Sequence, residues 1–444
     1  MIRARTQIVS HGREKPTGRA GRIRDIKASG LNDRARLLLF SGHSGRAVLR
    51  LGSIDLSHGA RSVRHCPDKF FKSDRVKSMT GIASFLEWDD ERVATEQEFY
   101  SAAMEWHFGP KTGSRFWLEK AGSLGFDPRC DIRGHADLRR FPNVVAEFRH
   151  IPIEDLIPRG YEGKTDVVGA FDSGGTTGAP KRVPLLSDWM SRSLRWKSAR
   201  MDELGLPRGV NWLTLAPSGP HIFGRLMAEV TRMREGICFT VDLDPRWVRK
   251  CLSAGQAEEA DRYAEHVVDQ AESILAQQDI GVLVATPPLL GRMAERDKLV
   301  DLVNEKVAVI MWGGAHLDAD TRKVLQEEVF PDVRLCGQYG STMILGGSME
   351  RAEAPRTAGQ CVFDSFSPYT TFSVVDPSSQ LEVAEGERGQ VVMHHVSKSL
   401  LLPNNPERDL AVRIAARPGS LGDSVADVTP VPVFEAAEVI EGVY

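Results

Sequence analysis

A nine-residue stretch, SGGTTGAPK at 173–181, brings together three glycines, two threonines and a lysine. It follows a predicted strand at 167–171 and precedes a predicted helix that begins at Ser187 or Asp188. In this position the N–H groups of a loop can converge on an anion, hydroxyls can donate to phosphate oxygens, and a lysine supplies a point charge. The stretch predicts a phosphate-binding loop, with a flexible turn as the alternative. Its candidate ligands are Ser173, Gly174, Gly175, Thr176, Thr177, Gly178 and Lys181.

The spacing within this loop disagrees with two common nucleotide motifs. The pattern GxxxxGK[ST] fails because Ala179 lies five residues after Gly174, where that pattern requires glycine. The pattern GxGxxG is absent as well. An ordinary P-loop kinase and a Rossmann dehydrogenase are therefore disfavoured.

The elements that must position the loop follow an α/β pattern. Between about residues 165 and 340, short apolar runs alternate with amphipathic segments, which predicts a parallel sheet crossed by helices. After about residue 358, β-rich runs with turn signals predict a smaller β-rich subdomain. The predicted strands of the core are VVGAF (167–171), NWLTLA (211–216), ICFTVDL (237–243), GVLVAT (281–286), VAVIMW (307–312) and VRLCG (333–337).

Charge divides the chain into a basic N-terminal arm, residues 1–78, and an acidic remainder. The arm holds 18 Lys and Arg against 6 Asp and Glu, whereas the rest holds 39 against 54. A nucleic-acid-binding arm and a transit peptide are possible interpretations, but a disordered tail or a mis-assigned start before Met79 is preferred, because the arm has little apolar content to bury. The domain prediction is the arm at 1–78, an α/β core at 79–357 and a β-rich subdomain at 358–444.

Composition narrows the class of protein further. The 444 residues are 41% hydrophobic, and no apolar run approaches the roughly 18 residues that cross a bilayer. We therefore expect a cytoplasmic protein without a membrane partner. The six cysteines are widely spaced, with no CxxC pair, which predicts reduced thiols and neither a zinc site nor a disulfide framework.

Four further segments give the phosphate loop its context. They are PSGPHIFG (217–224), WGGAHLD (312–318), QYGSTM (338–343) and NNPERDLAVRI (404–414). Together with SGGTTGAPK, and in this order, they resemble the motifs of the acyl-adenylate-forming superfamily, which includes acyl- and aryl-CoA ligases. The resemblance covers roughly residues 140–425. Within the superfamily, the chain is similar to the shortened proteins of phenazine antibiotic biosynthesis and to the phenylacetate-CoA ligase branch. It implies a layered α/β core of the adenylate-forming fold with the β-rich subdomain near the C-terminus.

The resemblance implies a role for each matched residue. The loop residues would hold the β- and γ-phosphates of ATP, Tyr339 would stack on adenine, Asp409 would bind the ribose hydroxyls, and His221 would line the acid site. The strand-end residues that would surround the base and the α-phosphate are Gly313, Gly314, Ala315, Gly340, Ser341 and Thr342. Lys181, His221 and Thr342 are the candidate catalytic residues. Plain structural roles, such as a core aromatic for Tyr339 or a surface ion pair for Asp409, remain as alternatives.

Three departures from the family pattern limit this expectation. Gly174 and Arg182 replace a serine and a glycine of the loop motif, and Met343 stands where a glutamate usually helps to bind Mg²⁺. A thioether is a poor ligand for so hard a cation, so we expect Mg²⁺ to arrive with ATP. The chain also ends 35 residues after Asp409. This leads us to expect that the mobile C-terminal domain of the family and its lysine are missing.

The leading hypothesis is ATP-dependent activation of an aromatic or otherwise specialised carboxylic acid to an acyl-adenylate in a biosynthetic pathway. A separate acyl-acceptor or reductase protein would take the acyl group onward. The alternative is a nucleotide- or acyl-adenylate-binding pseudoenzyme without turnover. A nucleic-acid partner is the third and least supported hypothesis, since it depends on the basic arm alone.

Overall fold

The computed structural model describes residues 95–161, 165–173, 179–352 and 361–431, with Leu86, Gly163, 433–434 and 437–438. All of these lie in one compact unit, residues 64–444. The predicted N-terminal arm lies outside the described residues, and so do Gly174, Gly175, Thr176, Thr177 and Gly178.

Between residues 95 and 161, four α-helices lead into the sheet: α1 (Glu96–Phe108), α2 (Arg115–Ala121), α3 (Pro128–Asp131) and α4 (Ile153–Leu156). Thr95 and Glu98 form a capping box that satisfies backbone donors at the start of α1. Trp106 and Trp117 are buried, and their indole nitrogens donate to the carbonyls of Lys398 and Leu401 at 2.9 Å. The N-terminal helices therefore pack on the C-terminal strands.

The predicted strand before the glycine-rich loop is present, but its partner differs from the prediction. β1 (Val167–Asp172) pairs antiparallel with β2 (Arg182–Leu186) in a separate two-stranded ribbon. The loop between them is too short for the crossover that parallel strands require, so the chain can only return as a hairpin. The 167–171 strand is thus not a member of the parallel sheet. Helix α5 (Ser187–Glu203) follows directly.

Five parallel strands form the core as predicted. Three of them, Trp212–Thr214, Val282–Ala285 and Val309–Trp312, are short, apolar and buried on both faces, which suits a sheet covered by helices, whereas the edge strand Cys238–Thr240 is partly exposed. In chain order the elements are β3 (Trp212–Thr214), α6 (Ile222–Met233), β4 (Cys238–Thr240), α7 (Pro245–Ser253), α8 (Ala257–Gln277), β5 (Val282–Ala285), α9 (Pro287–Ala294), α10 (Asp297–Lys306), β6 (Val309–Trp312), α11 (Ala319–Val324) and β7 (Arg334–Ser341).

The β-rich C-terminal region is confirmed, and all of its described strands except the last two, which pair with each other, extend the same sheet. Its strands are β8 (Gly346–Glu350), β9 (Val362–Asp364), β10 (Thr370–Val375), β11 (Arg388–Val396), β12 (Leu401–Ile414), β13 (Ser424–Pro430), β14 (Val433–Phe434) and β15 (Ala437–Glu438). β8 pairs antiparallel with β7, which gives an 11-stranded mixed sheet in the order β10-β11-β12-β13-β9-β8-β7-β6-β5-β3-β4. The predicted boundary between the α/β core and the β-rich subdomain, at residues 357 and 358, falls between strands of one sheet. The domain limits therefore remain a prediction.

Two buried clusters lie on the two faces of this sheet. One contains side chains of α1, α2, α5 and α6, and the other contains side chains of α8, α9 and α10.

Among the described residues, no helix has the length and apolar character for a membrane crossing. Cys238, Cys251, Cys336 and Cys361 are free thiols. Cys130 is disulfide-bonded, which corrects the expectation of reduced thiols at that position.

Candidate functional site

A cavity of about 340 Å³ opens at the carboxyl ends of the parallel strands. This edge is where open α/β sheets bind ligands, because the turns after several strands converge there. Every described residue that the sequence assigned to the site lines this cavity. They are Ser173, Lys181, His221, Gly313, Gly314, Ala315, Tyr339, Gly340, Ser341, Thr342 and Asp409. The other five predicted residues of the loop, 174–178, lie outside what the structure describes.

The base of the glycine-rich loop is closed by two hydrogen bonds between its ends. The Ser173 N–H donates to the Lys181 carbonyl at 2.9 Å, and the Lys181 N–H donates to Ser173 Oγ at 3.1 Å. Arg149 Nε donates to the Ala179 carbonyl at 3.1 Å. Arg182, a departure from the family pattern, has an ion pair with Asp172 at 2.9 Å at the foot of the loop. Its side chain therefore belongs to the ribbon that carries the loop.

Glycines after β6 allow the chain to pass close to β7. A Cβ on Gly313 would lie 2.7 Å from the carbonyl oxygen of Gln338, and Gly314 adopts φ +80°, which disfavours any other residue. Asp318 then caps α11 by accepting from the Thr321 N–H at 2.9 Å. The turn thus has little side-chain volume where it faces the cavity.

The end of β7 is shaped by a second close backbone approach. A Cβ on Gly340 would lie 2.4 Å from the carbonyl oxygen of Gly346 on β8. Ser341 Oγ accepts from the Met343 N–H at 3.3 Å, and the Leu345 N–H donates to the Thr342 carbonyl at 3.0 Å. This single turn leaves Thr342 half-buried at the cavity. Met343 is only 4% exposed and packs in the core.

Tyr339 and Asp409, which the resemblance assigned to adenine and ribose, touch each other. The hydroxyl of Tyr339 on β7 donates to Oδ2 of Asp409 on β12 at 3.0 Å, although the two residues are 70 positions apart in the sequence. Burial raises the pKa of Tyr339 well above its usual value, and the Asp409 carboxylate raises it further. Tyr339 is therefore a neutral donor that holds one oxygen of Asp409.

His221 stands at the first residue before α6, and it is 7% exposed. Burial is the first cause that lowers its pKa, and the nearby Arg246 guanidinium is the second. The imidazole is therefore neutral at pH 7. The Asp172 N–H donates to the Pro220 carbonyl at 2.8 Å, which ties this segment to the strand before the glycine-rich loop.

Lys197 is a site residue that the sequence analysis missed. It lines the cavity from α5, is 5% exposed, and donates from Nζ to Gln338 Oε1 at 3.0 Å. Burial lowers its pKa to about 8. A signal was present in the sequence, because Lys197 falls between Trp189 and Met201 on the apolar stripe of α5.

Glu407 is a second residue that the sequence analysis did not single out. It lines the cavity two residues before Asp409 and accepts from Asn405 Nδ2 at 2.7 Å. Burial raises its pKa, while hydrogen bonds from Ser341 and Asn405 oppose the rise. The charged lining side chains that the structure describes are Arg149, Lys181, Lys197, Arg322, Arg408, Glu407, Asp409 and Asp427. Cations outnumber carboxylates among them, which favours an anionic ligand.

The residues present fit a nucleotide better than a protein-held metal. Glycines leave room at two strand ends, and lysine and hydroxyl groups stand beside the closed loop base. Among the described residues, no cluster of three potential metal ligands occurs. Met343 is buried and brings only a thioether to the cavity lining, whereas Glu407 is a carboxylate beside Ser341.

Comparison with solved structures identifies chains with a similar fold. Neither a family model nor a curated protein matches the sequence. A 2-hydroxyisobutyryl-CoA ligase in the postadenylation state with R3-HIB-AMP matches with a TM-score of 0.51 and 12% identity, over 79% of this chain and 66% of that chain. The same ligase with 2-HIB-AMP and CoA, in its thioesterification state, matches with a TM-score of 0.51 and 14% identity, over 80% and 68%.

ATP-bound MatB from Rhodopseudomonas palustris matches with a TM-score of 0.42 and 17% identity, over 59% of this chain and 48% of that chain. The chain spans about half to two thirds of the length of these ligases. At such low identity the likeness establishes the fold alone. The predicted fold class is confirmed: the chain has the mixed α/β fold of adenylate-forming ligases.

Proposed function

We propose that this protein activates a carboxylic acid with ATP, forming an acyl-adenylate and releasing pyrophosphate. The observation that carries the proposal is the convergence of segments far apart in the sequence on one cation-rich cavity at the carboxyl edge of the sheet. The adenylate-forming fold supports it, since solved ligases of that fold hold acyl-AMP ligands.

In the proposed reaction, a carboxylate oxygen attacks the α-phosphorus of ATP and the bond to the pyrophosphate oxygen breaks. The task of the protein is to position both reactants and to neutralise charge on the phosphates. Ser173 and Lys181 would bind the β- and γ-phosphates with the loop residues between them, and Thr342 would donate to the α-phosphate. His221, neutral at pH 7, would face the acid.

Asp409 and Tyr339 would hold the nucleoside. The Tyr339 hydroxyl donates to one carboxylate oxygen of Asp409 and so orients the carboxylate, which would accept from the ribose hydroxyls. The ring of Tyr339 would stack on adenine, and Gly313, Gly314 and Ala315 would allow the base to approach the backbone. These roles follow the resemblance, and the shared cavity supports them.

Mg²⁺ would enter with ATP, because the buried thioether of Met343 does not suit a hard cation. Glu407 would meet the hydrated ion through water. In this assignment the phosphates of ATP would supply most of the protein-independent ligands of Mg²⁺, as is common for this ion.

The acid we propose is aromatic, since Phe223, Trp312 and Phe363 line the cavity. The acyl group would pass to CoA or to a separate acyl-acceptor or reductase protein. The biosynthetic setting, that of the phenazine antibiotic and phenylacetate-CoA ligase branch, rests on the sequence resemblance.

A pseudoenzyme is the second candidate, and the burial of Met343 is the observation that favours it. Without the usual carboxylate beside the triphosphate, the cavity would bind AMP or an acyl-adenylate and turn over neither. The two candidates differ in one outcome, which is whether labelled pyrophosphate enters ATP.

An ATP–pyrophosphate exchange assay with a panel of aryl acids tests the proposal on the full chain. We expect acid-dependent exchange that Lys181→Ala reduces and that Lys111→Ala, at an exposed lysine outside the cavity lining, leaves unchanged. Binding of AMP without exchange for any acid would favour the pseudoenzyme. Absence of both binding and exchange would overturn both candidates.

A further inference from the structure

The side chain of Lys197 presents a charge to the cavity from within the core. It lies on a regular part of α5, between Leu194 and Met201 of the buried face, and lines the same cavity as the predicted site residues. With 5% of its surface exposed, its ammonium group has lost nearly all of its water. A buried ammonium group is costly unless an anion accompanies it.

The described protein groups around Lys197 supply no such anion. Its hydrogen-bond partners are the neutral amide oxygen of Gln338 at 3.0 Å and the thioether of Met349 at 3.9 Å. Among the described residues, the one ionisable side chain that acts on the pKa of Lys197 is Cys336, a neutral thiol, because burial raises the pKa of Cys336 to about 12. An ammonium group has three donors, so the amide and a weak thioether contact leave it undersatisfied.

We propose that Lys197 binds a second negatively charged group of the acid, so that the preferred substrate is a carboxylic acid with a second carboxylate. This inference rests on the proposed function and names the class of acid that the same cavity takes. The second carboxylate of the substrate would be the counter-ion of Lys197 that the described protein groups do not supply. A pKa of about 8 keeps the free lysine mostly protonated at pH 7, and a bound carboxylate stabilises the protonated form further.

The reacting carboxylate itself does not meet this need. It loses its charge when it becomes an acyl phosphate anhydride, and the negative charge that the anhydride keeps lies on the α-phosphate, which the proposed function places at Thr342. A second carboxylate keeps its charge through the reaction. Lys197 is therefore a specificity-determining residue, and it takes no part in the bond that forms at the α-phosphorus.

The test compares matched acids in ATP–pyrophosphate exchange by the full chain. Benzoate is paired with isophthalate and terephthalate, and butyrate with succinate. The variants are Lys197→Met, which keeps an unbranched side chain but removes the charge, and Arg195→Met as the control, because Arg195 lies two residues away on the exposed face of α5. We expect kcat/KM for the preferred dicarboxylate to exceed that for its partner by about 30-fold or more, the usual effect of a buried charge pair.

Lys197→Met should abolish this preference, while Arg195→Met should retain it. The KM for the dicarboxylate should rise as the pH increases above about 8, where the free lysine loses its proton, and the KM for the monocarboxylate should not follow. A purely structural lysine would not produce this difference. Equal loss with both classes of acid in Lys197→Met, or a wild-type preference for monocarboxylates, would overturn the inference.

Titration calorimetry with AMP present separates this inference from the proposed function. If no acid supports exchange, the proposed function fails, and binding of the dicarboxylates then decides the role of Lys197. Binding that Lys197→Met removes and Arg195→Met retains would support the inference. No binding of any dicarboxylate to the wild-type chain would overturn it.

Discussion

Two parts of the cavity lining are built in different ways. The loop wall, formed by residues 173, 181, 313–315 and 339–342, consists of turns at strand ends in which glycines replace side-chain volume with close backbone contacts. The helix wall, formed by Lys197 of α5, Leu226 of α6 and Gln338, consists of side chains that project from regular elements. The loop wall offers a ligand backbone groups and small polar side chains. The helix wall offers a ligand one buried charge.

This difference has an energetic consequence. A turn with glycines can present N–H groups without burying a charge, so the loop wall is compatible with a stable fold. The helix wall places an ammonium group in the core with no protein anion, and a functional group of this kind is expected to reduce stability. Replacement of a closely packed glycine in the loop wall should therefore lower the free energy of unfolding, whereas replacement of Lys197 in the helix wall should raise it.

The largest effect is expected for Gly340→Ala in the loop wall. The new Cβ would lie 2.4 Å from both the Gly346 carbonyl oxygen and the Gly347 Cα, so backbone must move. We expect a loss of about 3 kcal/mol in the free energy of unfolding, measured by urea denaturation. Gly291→Ala on α9 is the matched control, because no described heavy atom outside the local backbone of α9 lies within 4 Å of its Cβ position. That change should stabilise slightly, and equal losses in both variants would contradict the close packing described for β7 and β8.

A comparable effect of opposite sign is expected for Lys197→Met. The pKa of Lys197 falls from 10.5 to about 8 on folding, so the unfolded chain binds a proton more readily and the lysine costs stability below pH 10.5. The cost grows as the pH falls to about 8 and is then constant at about 3 kcal/mol. Lys197→Met should remove it at pH 7 and change little near pH 10.5. Equal stability of wild type and variant at pH 7 would show that the ammonium is not desolvated.

A smaller effect, confined to binding, is expected for Lys181→Ala. The loop base is held by backbone and serine groups, so the fold should keep its free energy of unfolding. Loss of one charge-assisted contact should weaken ATP binding by about 2 kcal/mol, or about 30-fold, in calorimetry. Lys111→Ala supplies the control. If Lys181→Ala bound ATP with unchanged affinity, the phosphates of ATP would not bind at the loop wall.

The smallest effect is expected for Tyr339→Phe. This change keeps the ring but removes the hydrogen bond to Asp409 at 3.0 Å. We expect AMP binding to weaken by about 1 kcal/mol, or about fivefold, while acid binding at the helix wall stays the same. A matching loss of acid binding would show that the two walls are one coupled unit.

The comparison also explains what could be predicted from the sequence. Glycines and hydroxyls in turns have positions that the backbone dictates, so Gly313, Gly340 and Ser173 lie in recognisable spacings. Lys197 has no such spacing, since its acceptor Gln338 is 141 residues away and a lysine in an amphipathic helix usually reaches solvent. The pairing of β1 with β2 and the strand β8 were missed because short runs with proline or glycine carry weak strand signals.

A crystal structure of the full chain with AMP tests the central claim most directly. We predict adenine against the ring of Tyr339, the ribose hydroxyls on Asp409, and the α-phosphate on Thr342. Lys197 should then face a remaining volume next to the phosphate that an acid can fill. Binding of AMP at another surface, or an empty cavity at saturating AMP, would contradict the account.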